Sequence, residues 1–206
     1  MNSETPSVSA VVLAGGHGHR MGQDKALLRL GGQSLLARTV HTLAPLSDDL
    51  VVVTDDAARY RALGLPVRLV ADEQPGVGAL MGLYSGLKAA RHAWALVVAC
   101  DMPFLNPSLL RYMIALSPGY EAIVPRIDDL YEPIHAIYAR TCLPVMEDLI
   151  ATGRRRIFDL FSRVRVRYVD RNEIEQFDPE HLSFLNVNTP EDWLRVQARF
   201  EASARS

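Results

Sequence analysis

The residues best suited to chemistry lie in one glycine-rich segment near the start of the chain. Residues 13–25 read Leu-Ala-Gly-Gly-His-Gly-His-Arg-Met-Gly-Gln-Asp-Lys. Glycines let the backbone turn tightly and approach a ligand, and successive N–H groups that face one concavity bind anions. Arg20 and Lys25 add positive charge. This combination predicts a loop that binds the phosphates of a nucleotide.

Two common phosphate-binding motifs are absent from this segment. The P-loop pattern fails because the glycine that follows Gly18 comes at Gly22 and is itself followed by Gln23, where that motif has lysine. The dinucleotide-binding pattern G-x-G-x-x-G fails because Met21 stands at the third glycine position. A turn that only reverses the chain is the structural alternative.

Acidic residues follow other apolar stretches of the chain. Asp101 comes directly after residues 94–100, in the segment Ala-Cys-Asp-Met-Pro-Phe. A carboxylate at the end of a buried strand is a suitable oxygen ligand for Mg²⁺, although a turn aspartate is the alternative. Asp72 and Thr54 hold similar positions, but aspartates in loops are usually solvated and do not by themselves indicate a site.

Apolar stretches typical of strands alternate with helical patterns. The strands are predicted at 8–13, 50–54, 67–71, 94–100, 121–125, 133–139 and 163–169. The helices are predicted at 34–45, 55–63, 79–92, 107–117, 142–152, 155–162 and from Thr189 to about residue 202, with Ser34 and Asn106 as N-caps. Such alternation predicts an α/β fold, with a mostly parallel sheet and helices on both faces. Ligands bind at the carboxyl ends of such strands, so the glycine segment, Thr54, Asp72 and Asp101 are expected to meet at one site.

Length and composition limit the class of protein. The 206 residues are expected to form a single domain, 1–206, with a nucleotide-binding half at roughly 7–105 and an acceptor-binding half at roughly 106–202. The net charge of −2 argues against a general nucleic-acid or membrane binder. The two cysteines form neither a C-x-x-C nor a zinc pattern, and neither a signal peptide nor a transmembrane segment is recognised. A cytoplasmic location is expected.

The pattern L-A-G-G-x-G-x-R-M-G-x-D-K resembles nucleotidyltransferases built on a Rossmann-like sheet, and most closely the molybdenum cofactor guanylyltransferases. Further segments that resemble this family lie at 72–82, 99–104, 131–138 and 186–192. The resemblance implies a three-layer α/β sandwich of the nucleotide-diphospho-sugar transferase type. It also implies Mg²⁺-dependent transfer of GMP from GTP to the phosphate of molybdenum-molybdopterin, with release of pyrophosphate. Proteins that insert molybdenum or mature molybdoenzymes are candidate partners.

The resemblance assigns roles to individual residues. Arg20, Lys25 and Asp101 are the expected catalytic residues, and Asp101 is the expected metal ligand. The expected nucleotide contacts are Leu13, Ala14, Gly15, Gly16, Gly18, Lys25, Thr54, Asp72, Gly78, Gly82 and Asp101. The expected acceptor contacts are Arg155, Arg156, Asn186 and Asn188.

Several of these assignments have ordinary structural alternatives. The glycines of residues 76–82 could serve helix–sheet packing, and there Ala79 replaces a proline of the family pattern. Residues 154–156 could be a solvated basic face, Asn188 a turn former and His135 a core histidine. The histidines of the glycine segment are expected at the loop surface, and some relatives have asparagine where Thr54 stands.

Two other functions compete with this reading. The nearer one is a related enzyme that uses CTP on the same pterin, or a nucleoside triphosphate on a sugar or lipid phosphate. Leu-Ala-Gly-Gly favours guanine over the Leu-Ala-Ala-Gly of cytidylyl relatives, where a methyl group would crowd the base. The more distant alternative is a nucleotide-binding module without catalysis, against which the joint presence of Arg20, Lys25, Asp72 and Asp101 argues.

Overall fold

The computed structural model describes residues 6–15, 24–74 and 78–203. Most of the glycine-rich segment, residues 16–23, lies outside the described residues. The predicted site residues Gly16, Gly18 and Arg20 are therefore outside them as well, as is Gly76.

The described chain contains one large sheet and one small hairpin. The strands of the large sheet are β1 (Val8–Leu13), β4 (Leu50–Thr54), β5 (Arg68–Ala71), β6 (Trp94–Ala99), β7 (Ala122–Ile127), β8 (Leu130–Tyr131), β9 (His135–Ala139) and β10 (Val166–Asp170). The hairpin consists of β2 (Arg29–Leu30) and β3 (Gln33–Ser34). The order in the large sheet is β10-β7-β9-β6-β1-β4-β5, with β8 paired to β7.

The sheet is mostly parallel, as predicted, with an antiparallel insertion. β1 lies parallel to both β4 and β6, β4 is parallel to β5, and β7 is parallel to β10. β9 runs antiparallel between β6 and β7. The connection from β7 to β9 contains only residues 128–134, which is too short for the crossover that a parallel pair requires.

Helices cover both faces of the sheet. They are α1 (Leu35–Leu43), α2 (Ala57–Arg61), α3 (Ala79–Ala89), α4 (Pro107–Ala115), α5 (Leu143–Ala151), α6 (Phe158–Phe161), α7 (Arg171–Glu175) and α8 (Pro190–Ser203). One apolar core lies under α1, α2, α4 and α7, and the other under α3, α5 and α6. β1 sends Val8, Ala10 and Val12 into the first core and Val11 into the second. The predicted three-layer α/β sandwich is therefore confirmed. None of the described helices is long and apolar enough to span a membrane.

The helix caps follow the sequence signals. The Ser34 hydroxyl accepts from the N–H of Ala37 at 3.2 Å, and the Asn106 side chain accepts from the N–H of Ser108 at 2.9 Å. The helix predicted at 155–162 is shorter, because α5 ends at a left-handed Gly153 and the exposed residues 154–156 follow before α6 begins. The β2–β3 hairpin, β8 and α7 are not predicted, since two-residue strands and a five-residue helix are too short to show a periodicity.

The C-terminal helix returns to the N-terminal part of the chain. Val196 of α8 is buried with Leu30, Leu35 and Val187, and Phe200 packs against the same cluster. This contact holds the segment before α8 close to residues 24–35.

The close approach of α3 to the sheet predicts the effect of a single methyl group. A Cβ at Gly86 would lie 2.4 Å from Cγ1 of Val11 and 3.1 Å from Cγ2 of Val53. We expect Gly86→Ala to destabilise the fold by about 1–3 kcal/mol, because overpacking outweighs the better helix propensity of alanine. Urea unfolding measures this loss. Gly82→Ala in the same helix is the control, because its Cβ would meet atoms only at 3.8 Å and should not lower stability.

Candidate active site

A cleft of about 770 Å³ opens at the carboxyl edge of the parallel strands. Many of the residues predicted for the site line it: Leu13, Ala14, Gly15, Lys25, Thr54, Asp72, Gly78, Gly82, Asp101, Asn186 and Asn188. The sheet topology explains this convergence, since β1, β4, β5 and β6 all end at this edge.

Hydrogen bonds continue the strand pairing into the cleft. The N–H of Ala14 donates to the carbonyl of Val53 at 2.9 Å, and the N–H of Cys100 donates to the carbonyl of Leu13 at 3.1 Å. The start of the glycine segment is thereby held beside the residue that precedes Asp101. The backbone, more than the side chains, places these two motifs together.

Lys25 joins three distant parts of the sequence. Its Nζ donates to Oδ1 of Asn188 at 2.7 Å and to Oδ2 of Asp101 at 3.3 Å. The segment that carries Asn188 is held in place because the N–H of Val187 donates to the carbonyl of Asp101 at 3.0 Å. The Lys25 and Asp101 side chains are 19% and 17% exposed, so both charges lie in a partly desolvated cleft. Burial raises the pKa of Asp101, and the nearby Lys25 only partly opposes this rise.

Two glycines that line the cleft leave room for a ligand. A Cβ at Gly15 would meet no atom of the described residues within 4 Å, so a methyl group there would extend into the cleft that Gly15 lines. A Cβ at Gly82 would lie 3.8 Å from Oδ2 of Asp72 and from Leu13. The other carboxylate oxygen of Asp72, Oδ1, accepts from the Ser85 hydroxyl at 3.2 Å, which orients this side chain.

Two of the predicted acceptor residues lie outside the cleft lining. Arg155 and Arg156 are exposed on the segment between α5 and α6. Arg155 comes near at Gly78, a left-handed glycine, whose Cβ position would lie 3.5 Å from the Arg155 carbonyl oxygen and 3.6 Å from the Arg155 Cβ, but Arg155 is not one of the residues that line the cleft. The neighbouring Arg154 forms an ion pair with Asp159 at 3.9 Å. Within the described residues, the structure brings Asn186 and Asn188 to the cleft but not the two arginine side chains.

Asp24 lines the cleft although no role was expected for it. Its carboxylate accepts hydrogen bonds from the Tyr60 hydroxyl, from Arg59 and from the N–H of Ala26. The sequence signal for Asp24 is its place directly before Lys25, as the D of the pattern L-A-G-G-x-G-x-R-M-G-x-D-K.

Glu132 is a second cleft residue without a predicted role. It lines the cleft beside Pro133 and Ile134, and no hydrogen-bond or ion-pair partner of its carboxylate is found among the described residues. Burial raises the pKa of Glu132 to about 7. Its neighbour His135 is fully buried with the ring 4.8 Å from that of Phe184, and burial lowers the pKa of His135 to about 4. His135 is therefore a core histidine, and Glu132 is the ionisable residue of this segment that lines the cleft.

Comparison with known proteins identifies relatives over nearly the whole chain. Residues 10–167 match the MobA-like NTP transferase domain. A protein named probable molybdenum cofactor guanylyltransferase, from Pelotomaculum thermopropionicum, is 35% identical over 95% of this chain and 94% of its own. The molybdenum cofactor guanylyltransferase of Syntrophotalea carbinolica is 36% identical over 90% of this chain and 88% of its own. The crystal structure of molybdopterin-guanine dinucleotide biosynthesis protein A from Archaeoglobus fulgidus superposes with a TM-score of 0.82, at 29% identity over 95% of this chain and all of that one.

The environment of Glu132 predicts a pH-dependent effect on stability. Its pKa is raised from 4.5 to about 7 in the folded state, so between these values the unfolded chain releases a proton that the folded protein retains. Stability is therefore lost as the pH rises through this window. We expect Glu132→Gln to stabilise the protein by about 1–2 kcal/mol at pH 8 and to have little effect near pH 4.5.

Thermal unfolding at the two pH values measures this difference. The control is Glu121→Gln, since a backbone hydrogen bond from Arg165 lowers the pKa of Glu121 and predicts the opposite sign, a loss of stability at pH 8. An equal effect of Glu132→Gln at both pH values would contradict the prediction.

Proposed function

The chain belongs to the family of MobA-like NTP transferase domains, and on this basis we propose that it acts as a molybdenum cofactor guanylyltransferase. In this reaction GMP passes from GTP to the phosphate of molybdenum-molybdopterin, and pyrophosphate is released. The observation that carries the proposal is the contact of Lys25 with Asp101 and Asn188 in the cleft. It joins the end of the glycine-rich segment to the predicted metal ligand and to the predicted acceptor side.

The phosphates of GTP are expected to lie at the β1 end of the cleft. Lys25 is a point charge whose carboxylate partner is 3.3 Å away, so it can turn to a phosphate oxygen. Gly15 leaves both space and an accessible backbone at the start of the loop. Arg20, although outside the described residues, is proposed to add a second positive charge. The remaining nucleotide contacts are proposed for Leu13, Ala14, Gly16, Gly18, Thr54, Asp72, Gly78 and Gly82.

Asp101 fits the requirements of a divalent cation. No group of three or more His, Cys, Asp or Glu side chains able to hold a metal occurs in the part of the chain that the structure describes. Mg²⁺, however, is usually held by one or two carboxylates together with substrate phosphates and water. Asp101 can supply that carboxylate, and the bound ion would neutralise charge on the phosphate oxygens.

The reaction requires no nucleophile or base from the protein. An oxygen of the acceptor phosphate forms a bond to the α-phosphorus of GTP, and the bond from that phosphorus to the bridging oxygen of the β-phosphate breaks. The acceptor phosphate is already anionic, so no proton has to be removed. Lys25 and the loop N–H groups would stabilise the charge that develops on the leaving pyrophosphate, and holding both substrates in line supplies much of the remaining rate enhancement.

The acceptor is proposed to bind on the side of the cleft formed by the later part of the chain. Asn186 and Asn188 lie there, next to Asp101. Arg155 and Arg156 are proposed to reach the anionic acceptor from the rim, where no carboxylate neutralises them in the described chain. We propose one domain with residues 7–105 serving mainly the nucleotide and 106–202 mainly the acceptor. The use of GTP supports a cytoplasmic reaction, and molybdenum-insertion or molybdoenzyme-maturation proteins are the proposed partners.

The choice of nucleotide tests this function directly. We expect GTP with Mg²⁺ to stabilise the protein against thermal unfolding more than CTP, UTP or ATP at equal concentration, because ligand binding raises stability in proportion to RT ln(1 + [L]/Kd). Pyrophosphate release with molybdopterin should follow the same order. Equal protection and turnover with CTP would favour a cytidylyltransferase, and GTP binding without turnover would favour a binding module.

The proposed metal ligand yields a separate prediction. We expect Asp101→Asn to lower the turnover number by about 100-fold or more, the scale of one preorganised electrostatic contact. GTP affinity should be retained, because the change removes a negative charge from the phosphate site and leaves Lys25 in place. Binding and pyrophosphate release should be measured side by side over a magnesium titration.

A suitable control for this variant is Asp128→Asn. Asp128 also pairs with a basic residue, Arg171 at 2.5 Å, but lies away from the cleft lining. This control should turn over at the wild-type rate. An Asp101→Asn protein with wild-type turnover and an unchanged magnesium dependence would contradict the assignment and make Asp72 the next candidate.

A further inference from the structure

The hydroxyl of Tyr60 lies between the two ends of the glycine-rich segment. It is 3.2 Å from the carbonyl oxygen of Ala14, which comes before residues 16–23, and 2.9 and 3.1 Å from the two carboxylate oxygens of Asp24, which comes directly after them. Tyr60 itself belongs to α2, which follows a different strand, and is only 5% exposed. One side chain buried in the core therefore contacts both ends of the loop.

The partners of Asp24 show that this carboxylate has a structural task. Besides Tyr60, it accepts from Arg59 at 3.0 Å and from the N–H of Ala26 at 3.0 Å. The bond to Ala26 caps the short 3₁₀ turn Lys25–Leu27. Although Asp24 faces the cleft, its carboxylate oxygens accept hydrogen bonds that fix the backbone of the turn containing Lys25.

The protonation of Tyr60 is consistent with this arrangement. Burial raises the pKa of Tyr60 far above its usual value, and the hydrogen bond to Asp24 adds to the rise. The hydroxyl therefore keeps its proton at every physiological pH. It can donate this proton to the Asp24 carboxylate or to the Ala14 carbonyl. Without the hydroxyl, each of these acceptors would lose one hydrogen-bond partner.

We propose that Tyr60, acting through Asp24, is a positioning residue that sets the location of Lys25 for the transfer step. This inference rests on the proposed function, because Lys25 is taken to contact the phosphates of GTP. Among the described residues, the long side chain of Lys25 makes polar contacts at Nζ, with Asn188 and Asp101, while its backbone carbonyl accepts from the N–H of Leu28 within the 3₁₀ turn. The place of its backbone therefore depends on this turn, which the Asp24 carboxylate caps through the N–H of the buried Ala26. Tyr60 itself does not line the cleft.

Displacement of Lys25 would reduce the stabilisation of the transition state more than the stability of the fold. Small errors in the position of a charged group reduce catalysis strongly, because its stabilisation depends on preorganised geometry. We expect Tyr60→Phe, which keeps the ring in the core and removes only the hydroxyl, to raise the GTP dissociation constant several-fold. The single-turnover rate should fall by about tenfold or more.

A double-mutant cycle with Lys25→Ala separates positioning from a general structural effect. If Tyr60 acts through Lys25, Tyr60→Phe should change GTP binding and the single-turnover rate by less than about twofold when Lys25 is already alanine. Equal effects of Tyr60→Phe in both backgrounds would overturn the positioning role. So would wild-type binding and rate in the single variant.

A second tyrosine of the chain provides the matched control. The hydroxyl of Tyr112 donates to Oε1 of Glu173 at 2.5 Å, between α4 and α7 and away from the cleft lining. Tyr112→Phe should lose a comparable part of its thermal stability but keep wild-type GTP binding and turnover. A comparable loss of activity in Tyr112→Phe would assign both effects to stability and overturn the proposal.

The same experiments distinguish failure of the inference from failure of the proposed function. A wild-type protein that binds no GTP would overturn the function and, with it, the role of Tyr60. A wild-type protein that binds GTP and transfers GMP to molybdopterin, with a Tyr60→Phe variant that behaves identically, would overturn only the positioning role.

Discussion

The pairing of β1 with a parallel strand on each side is the constraint on which the cleft depends. β4 and β6 both run in the direction of β1, so three strands end together and their next residues enter the same space. The register continues past the strands, where Leu13 accepts from Cys100 and Ala14 donates to Val53. A shift of one residue in β6 would turn its alternate side chains to the other apolar core and would also displace Asp101. The packing of the sheet and the geometry of the site are therefore determined by the same hydrogen bonds.

The site is completed by a part of the chain that is far away in sequence. Asn188 is separated from Lys25 by 163 positions, and the two meet because α8 packs on the β2–β3 hairpin. The helix begins at a capping arrangement in which Asp192 accepts from the N–H of Thr189 at 2.9 Å and its own N–H is bonded to the Thr189 hydroxyl. This cap fixes the residue at which α8 begins. The segment that precedes the helix therefore passes Asp101 in a defined conformation. Burial of Val196 and Val187 in this apolar cluster thus stabilises the contact between Lys25 and Asn188 in the cleft.

Two carboxylates of the cleft are less well satisfied than a buried carboxylate elsewhere in the protein. Asp49, whose side chain is 2% exposed and which directly precedes β4, accepts from Ser9, Arg68 and the N–H of Arg91, and these partners lower its pKa despite burial. Asp101 and Glu132, in contrast, have raised pKa values because burial is incompletely compensated. Natural proteins accept such unfavourable electrostatics at sites where a ligand supplies the missing partners. Asp49 is thus a structural charge, whereas Asp101 and Glu132 lie where a bound ligand would supply the missing partners.

The sequence by itself determined the α/β class, nearly all of the principal strands and helices, and the motifs that follow the strand ends. These features depend on local patterns: apolar runs, the caps Ser34 and Asn106, and the spacing of glycines before Lys25. Only the tertiary structure decided that β9 runs antiparallel and that Tyr60 donates to Asp24. It also decided that Asn188 contacts Lys25, whereas Arg155 and Arg156 stay outside the cleft lining. Each of these depends on which distant residues become neighbours. Such proximity arises from the order of strands and the packing of helices, and no local pattern encodes it.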